Sequence, residues 1–317
     1  MTLSPDAAAF LEQLARQQPP TRWAELDEAG AVDYLRRARE PRALGPTDEA
    51  AGLVVTDLDP NEVRPLRVYR ARGSKDRPMI VYFHGGGWVM GDLDLGDAMC
   101  RTLATDAGFT VVSASYRLAP ENPFPAAFDD AYDATCWAHD NAAALGGDPS
   151  QLVVMGTSAG GNLAAAVALK AHQVNGPPIR CQALIYAVLD DRFDTESYES
   201  NTEGYFLERE QMRWYWTQYL AGPRDRRSKF AVPARAECMV GLPSALVVTA
   251  EFDPLRDEGA AYAVRLDEAG VPLVYRCFRG QIHGFLGLSH VIAEATPAVN
   301  EIGRLIRDLL RAGTVQL

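Results

Sequence analysis

Three side-chain types, far apart along the chain, have the chemistry to turn a hydroxyl into a nucleophile. Ser158 lies in Gly156-Thr157-Ser158-Ala159-Gly160, after Gln151-Leu152-Val153-Val154-Met155 and before Gly161-Asn162-Leu163-Ala164-Ala165-Ala166-Val167. That order reads as strand, sharp turn and helix, the setting in which G-x-S-x-G forms a nucleophile elbow. A serine held in strained backbone between a strand and a helix leaves no room for side chains two positions either side, hence the glycines. The helix behind it directs its positive N-terminal end at the reacting centre. A serine hydroxyl is a weak nucleophile until an imidazole takes its proton. The imidazole in turn needs a carboxylate to fix its tautomer and stabilise its charged form. His283, in Gln281-Ile282-His283-Gly284-Phe285 directly after a strand pattern, is the expected base; His290 lies further along and lacks that setting. Asp253, with Pro254 stiffening the turn after a strand, is the expected carboxylate ahead of its neighbours Asp257 and Glu258. A fourth element is made of backbone. Met79-Ile80-Val81-Tyr82-Phe83 runs straight into His84-Gly85-Gly86-Gly87-Trp88, where unshielded N–H groups can converge on a developing negative charge. His84 is expected to shape that loop by hydrogen bonding rather than to move protons.

The elements that must position these groups follow from hydrophobic periodicity. Ser4 caps a first helix with Phe10, Leu11 and Leu14 on one face, and a second helical segment covers Trp23 to Arg37 beyond Pro19-Pro20. Leu53-Val54-Val55 and Val63 to Tyr69 read as antiparallel strands, and Thr110 to Ser115 as a buried one. A helix is expected from Ala126 to Ala144, a strand from Cys181 to Tyr186, and another from Ala245 to Ala250. The chain then alternates again: helix Gly259 to Ala269, strand Pro272 to Phe278, helix Ala298 to Arg311. Carboxylates and a histidine just past strand ends lie on the side where open α/β sheets keep their chemistry. His139, on a helix among polar neighbours, and His172, near the end of the elbow helix, are expected in solvent. Residues 188–235 break the rhythm with Tyr198, Tyr205, Phe206, Trp214, Tyr215, Trp216 and Tyr219, and a helix from Glu208 to Leu220. An insertion of this kind tends to form a lid. The expected organisation is residues 1–45 and 188–235 as a helical cap on a catalytic unit made of 46–187 and 236–317.

With 317 residues the chain can bury one large core, and 47% hydrophobic with 23% charged residues is ordinary for a soluble globular protein. A formal charge of -11 disfavours nucleic acid and anionic membrane surfaces as partners. No apolar run reaches membrane-spanning length, and the first residues lack the regions of a signal peptide. Five scattered cysteines (Cys100, Cys136, Cys181, Cys238 and Cys277), none in a C-x-x-C pair, speak against zinc and a disulfide framework, and fit a reducing cytoplasm.

His84-Gly85-Gly86-Gly87-Trp88, Tyr116-Arg117-Leu118-Ala119-Pro120-Glu121, Gly156-Thr157-Ser158-Ala159-Gly160-Gly161-Asn162, Asp253-Pro254-Leu255-Arg256-Asp257-Glu258-Gly259 and Ile282-His283-Gly284-Phe285 occur in this order. Together they resemble the bacterial hormone-sensitive-lipase-like carboxylesterases (family IV), a likeness spanning about residues 50 to 312. The resemblance implies an α/β-hydrolase fold, with a mostly parallel eight-stranded sheet flanked by helices and a helical cap. It implies hydrolysis of short- to medium-chain carboxylic esters without a cofactor or metal, by a monomer or homodimer. It also implies Ser158 as nucleophile, Asp253 as orienting carboxylate and His283 as base, in the chain order known for that fold. The amides of Gly86, Gly87 and Ala159 would form the oxyanion hole, with Gly85 letting the loop bend. Thr157 departs from the aspartate found in much of the family and resembles a subgroup with threonine there; it supplies no negative charge beside the elbow. Trp88, Phe206 and Trp214 are the expected walls of an acyl pocket crowded enough to favour short chains. Two other readings share the scaffold: an amidase or deacetylase with the same triad, and a non-catalytic ligand-binding protein, against which the presence of His283 argues.

Overall fold

A computed structural model describes residues 2–17, 21, 23–40 and 52–312. Two helices come first, α1 (Pro5–Gln17) and α2 (Glu28–Ala38), then strands β1 (Leu53–Leu58), β2 (Leu66–Ala71) and β3 (Arg77–Phe83). Next are α3 (Asp97–Thr105), β4 (Thr110–Ala114), α4 (Ala126–Asp140), α5 (Ala142–Leu145), β5 (Gly147–Thr157), α6 (Ala159–Val174) and β6 (Ile179–Ile185). The chain closes with α7 (Glu196–Ser200), α8 (Arg209–Tyr219), β7 (Ser244–Phe252), α9 (Arg256–Glu268), β8 (Leu273–Ile282) and α10 (Ala295–Ala312).

All eight strands join one sheet in the order β1-β2-β4-β3-β5-β6-β7-β8. β2 is antiparallel to both neighbours and every other pairing is parallel. The parallel strands therefore end on one edge, and the loops leaving β3, β5, β7 and β8 lie together there. Alternate residues of a strand point to opposite faces, so each central strand feeds two cores. Val81 and Val154 pack with α4 and α6, whereas Ile80 and Val153 pack with α3 and α10. Burial on both faces explains why these strands read as unbroken apolar runs.

Helix α3 has no counterpart in the sequence reading. Its apolar stripe of Met99, Cys100, Leu103 and Ala104 is short, yet all four are buried. The long helix expected to Ala144 breaks after Asp140; α5 follows and is closed by Gly146 in the left-handed region at φ +79°. Strand β8 runs four residues past Phe278, through a shift in its pairing with β7, and so carries the chain to His283. Ser4 caps α1 as expected, its carbonyl and hydroxyl accepting from Ala8 and Ala7. Pro19-Pro20 and the last five residues of the expected N-terminal cap segment, 41–45, lie outside the described residues. No helix among the described residues is long and apolar enough to cross a membrane.

Candidate active site

Ser158 joins β5 to α6 with φ +55° and ψ -119°, a conformation that a non-glycine residue rarely adopts. The glycines around it are required by contact. A Cβ on Gly156 would lie 2.1 Å from the Gly160 carbonyl oxygen, and one on Gly160 would lie 2.0 Å from that of Phe83. The strained turn is tied down on both sides: the Ser158 amide donates to Ile185, and its carbonyl accepts from Asn162 and Val188. Asn162, fully buried, also donates from its side chain to the Val188 and Ala231 carbonyls.

The structure brings His283 to both of its expected partners. Its Nε2 is 3.0 Å from Ser158 Oγ and its Nδ1 is 2.7 Å from Asp253 Oδ2. The other Asp253 oxygen accepts from the Leu255 amide at 2.9 Å, and the carboxylate is wholly buried. The rivals are engaged elsewhere. Glu258 Oε1 accepts from the Leu189 and Asp190 amides, and burial pushes its pKa well up. Asp257 accepts from the Ser197 amide and pairs with Arg256. His290 is exposed.

The glycine loop after β3 lies against this group. Gly86 and Gly87 take φ of +107° and +59°, and a Cβ on Gly87 would enter the ring of Tyr215 at 2.5 Å. The amides of Gly86, Gly87 and Ala159 have no protein acceptor among the described residues. His84 is enclosed, stacked on Tyr116 at 4.2 Å, with Nδ1 2.7 Å from the Gly85 carbonyl oxygen. Burial pushes its pKa down to about 4, so it stays neutral and donates to that carbonyl at neutral pH. The Tyr116 hydroxyl donates to the His84 carbonyl at 2.8 Å. Thr157 shares a buried hydrogen bond with the Tyr82 hydroxyl at 3.0 Å, so the uncharged position has a polar partner.

The three expected pocket residues separate. Phe206 is 43% exposed and reaches over Gly284, next to His283. Trp214 is nearly enclosed among Trp23, Tyr34 and Tyr215. Trp88 requires correction as a pocket wall. It has no accessible surface and stacks on Tyr219 at 4.1 Å, with Trp216 at 4.8 Å, so it is a core residue beneath the glycine loop. Two aromatics at the site escaped the sequence reading. Tyr215 covers Gly87, and Tyr186 sets its ring edge-on to His283 at 4.9 Å. Only the tertiary fold brings Tyr186 there; Tyr215 stood in the aromatic insertion without a role. His139 is partly exposed and pairs with Asp140, and His172 is exposed.

A family model described as alpha/beta hydrolase fold matches residues 80–287, which contain the elbow, the glycine loop and the His283 loop. The carboxylesterase NlhH of Mycobacterium tuberculosis is 40% identical over 97% of this chain and 97% of its own. The chain belongs to the hormone-sensitive-lipase-like family of α/β-hydrolases. It is a carboxylic ester hydrolase. An ethyl acetate hydrolase of Pseudomonas putida is 36% identical, with 93% of this chain and 95% of that one aligned. Among solved structures, a thermostable esterase from Pseudomonas putida ECU1011 superposes with a TM-score of 0.86 at 34% identity, over 100% of this chain and 98% of that one. Within the family frame, the order β1-β2-β4-β3-β5-β6-β7-β8 puts Ser158 at the end of a central strand and Asp253 and His283 just past the two strands at one side.

Proposed function

We propose that this esterase cleaves short- to medium-chain carboxylic esters through an acyl-enzyme, with Ser158 as nucleophile, His283 as general base and Asp253 as its orienting carboxylate. The single observation that carries this reading is His283 bridging Ser158 and Asp253 at 3.0 and 2.7 Å. With Nδ1–H donated to Asp253, the neutral imidazole presents a lone pair at Nε2 to the serine hydroxyl. Nε2 takes the Ser158 proton as Oγ bonds to the ester carbonyl carbon. The resulting oxyanion is met by the amides of Gly86, Gly87 and Ala159, which have no competing protein acceptor among the described residues. The C–O bond to the alcohol then breaks, and His283 returns the proton to the departing oxygen. Water repeats the sequence: its proton goes to Nε2, its oxygen to the acyl carbon, and Ser158 recovers its proton as the acid leaves. Every proton and electron pair is accounted for by these groups.

Residues 188–235 and the described N-terminal residues up to 40 act as a cap over this site. Support comes from the contacts between them: Phe10 meets Phe206 edge-on at 5.8 Å, and the Tyr34 and Tyr215 hydroxyls lie 2.9 Å apart. Arg39 adds hydrogen bonds to the Val89 and Ala119 carbonyls and an ion pair with Glu121. Phe206 beside the base and Tyr215 above Gly87 would narrow the acyl side, and one relative is named for ethyl acetate, an ester with a two-carbon acyl group. A panel of p-nitrophenyl esters of increasing acyl length tests both parts. Turnover should peak at short chains and nearly vanish in Ser158→Ala. An optimum at long chains would reject the crowded pocket, and full turnover in the variant would reject the nucleophile.

A further inference from the structure

Opposite the catalytic edge, the parallel strands have a second end. There the end of β2, the start of β3, the end of α3 with the loop that follows it, and Arg307 of α10 border a solvent-open cleft of about 260 Å³, far larger than the ~30 Å³ share of one water. Seven residues of β3 separate it from the glycine loop, roughly 20 Å at strand rise. Arg77, Arg307 and Ser74 stand in its wall.

Their polar atoms are poorly used within the chain. Arg307 Nε and Ser74 Oγ are both buried without a hydrogen-bond partner. Neither Arg77 nor Arg307 makes an ion pair among the described residues, although α10 and the strand beside it pair Arg276 with Glu301, and Arg304 and Arg311 with Asp308. The one carboxylate among the lining residues, Asp106, accepts from Thr105 at 2.7 Å and from Asn300 at 3.3 Å instead. Arg307 is held in place: it lies over the Phe109 ring at 5.6 Å, and a Cβ on Gly108 would sit 2.6 Å from its Nη2. Burial and the nearby Arg311 and Arg77 charges lower its pKa, the signature of cations lacking a counter-charge. Such a cluster is conspicuous in a chain with 42 acidic and 31 basic residues.

We propose that this cleft binds a small phosphate-class dianion, held by the guanidinium groups of Arg77 and Arg307. The planar fork of arginine matches tetrahedral oxyanions in charge and geometry, and the two guanidinium groups converge beside Gly108, where an added Cβ would lie 2.6 Å from Arg307 Nη2 and 3.7 Å from Arg77 Nη1. The site is separate from ester hydrolysis and does not depend on the triad assignment.

Calorimetric titration and thermal melts with inorganic phosphate, and separately with glycerol 3-phosphate, test it against sodium chloride at matched ionic strength. Phosphate stabilises many proteins without binding them, so saturation and variants decide the matter. The wild type should bind one equivalent with a saturable rise in melting temperature. Arg77→Gln, at an exposed position that does not burden folding, and Arg307→Gln should each weaken binding about tenfold, the loss of a charge-assisted hydrogen bond. Esterase turnover should stay within about twofold of the wild type in both. The tighter of the two ligands distinguishes a free phosphate site from a phosphomonoester site. A shift that tracks ionic strength, fails to saturate, or persists undiminished in Arg77→Gln would overturn the proposal.

Discussion

Ser158 holds a backbone conformation that costs roughly 1–3 kcal/mol, and the glycines at 156 and 160 let the strand and helix close around it. That steric requirement is written into local sequence, which is why the strained serine, the proposed nucleophile, could be read from five residues. Asp253 and His283 were legible for a related reason, since each follows a strand, although the apolar pattern ended the second strand at Phe278, four residues short of the end of β8. Tyr186 and Tyr215 were not, because nothing near them in sequence says which distant group their rings will meet. His84 offers a test at this scale. Its folded pKa, near 4, lies below the ordinary 6.5, so the unfolded chain binds more protons between those values. Stability from this residue is therefore complete above about pH 6.5 and lost as pH falls toward 4. Urea melts of wild type and His84→Asn at pH 7 and pH 5 should differ by about 2 kcal/mol in their pH dependence, the wild type losing more. Equal losses would mean that the fold does not depress the His84 pKa.

At the level of elements, the loop after β3 depends on what supports it from below and what covers it from above. Trp88 belongs to the support, stacked on Tyr219 and tilted against Trp216, whereas Phe206 lies half exposed beside Gly284, and Tyr215 covers Gly87. Trp88 and Phe206 should respond differently to truncation. Trp88→Ala opens a void in the core and should cost about 3–5 kcal/mol of stability. Phe206→Ala, at a half-open position, should leave the melting temperature nearly unchanged and move the acyl-length optimum toward longer chains. Thermal melts and an ester panel on both variants check this; a changed chain preference in a fully stable Trp88→Ala would restore it to the pocket wall. The difference between these rings was invisible in sequence, because an aromatic after a glycine run serves equally as floor or wall. Helix α3 was missed for a comparable reason: its buried stripe spans too few residues to stand out beside Asp97, Arg101 and Thr105. Strands β3, β5 and β7, buried on both faces, announced themselves as continuous apolar runs.

For the whole molecule, the parallel sheet gathers chemistry from four strand ends at one edge, and leaves the arginine-lined cleft at the other. Topology makes residues 158, 253 and 283 neighbours, and the covalent step proposed above would depend on all three. The most direct measurement is acid-quenched turnover of p-nitrophenyl butyrate followed by peptide mass mapping. The expected result is one butyryl group on the peptide containing Ser158, absent from Ser158→Ala, with a burst of nitrophenol no larger than one per active site. Turnover at the wild-type rate with no acyl group on that peptide, or with the acyl group on another residue, would contradict the covalent mechanism.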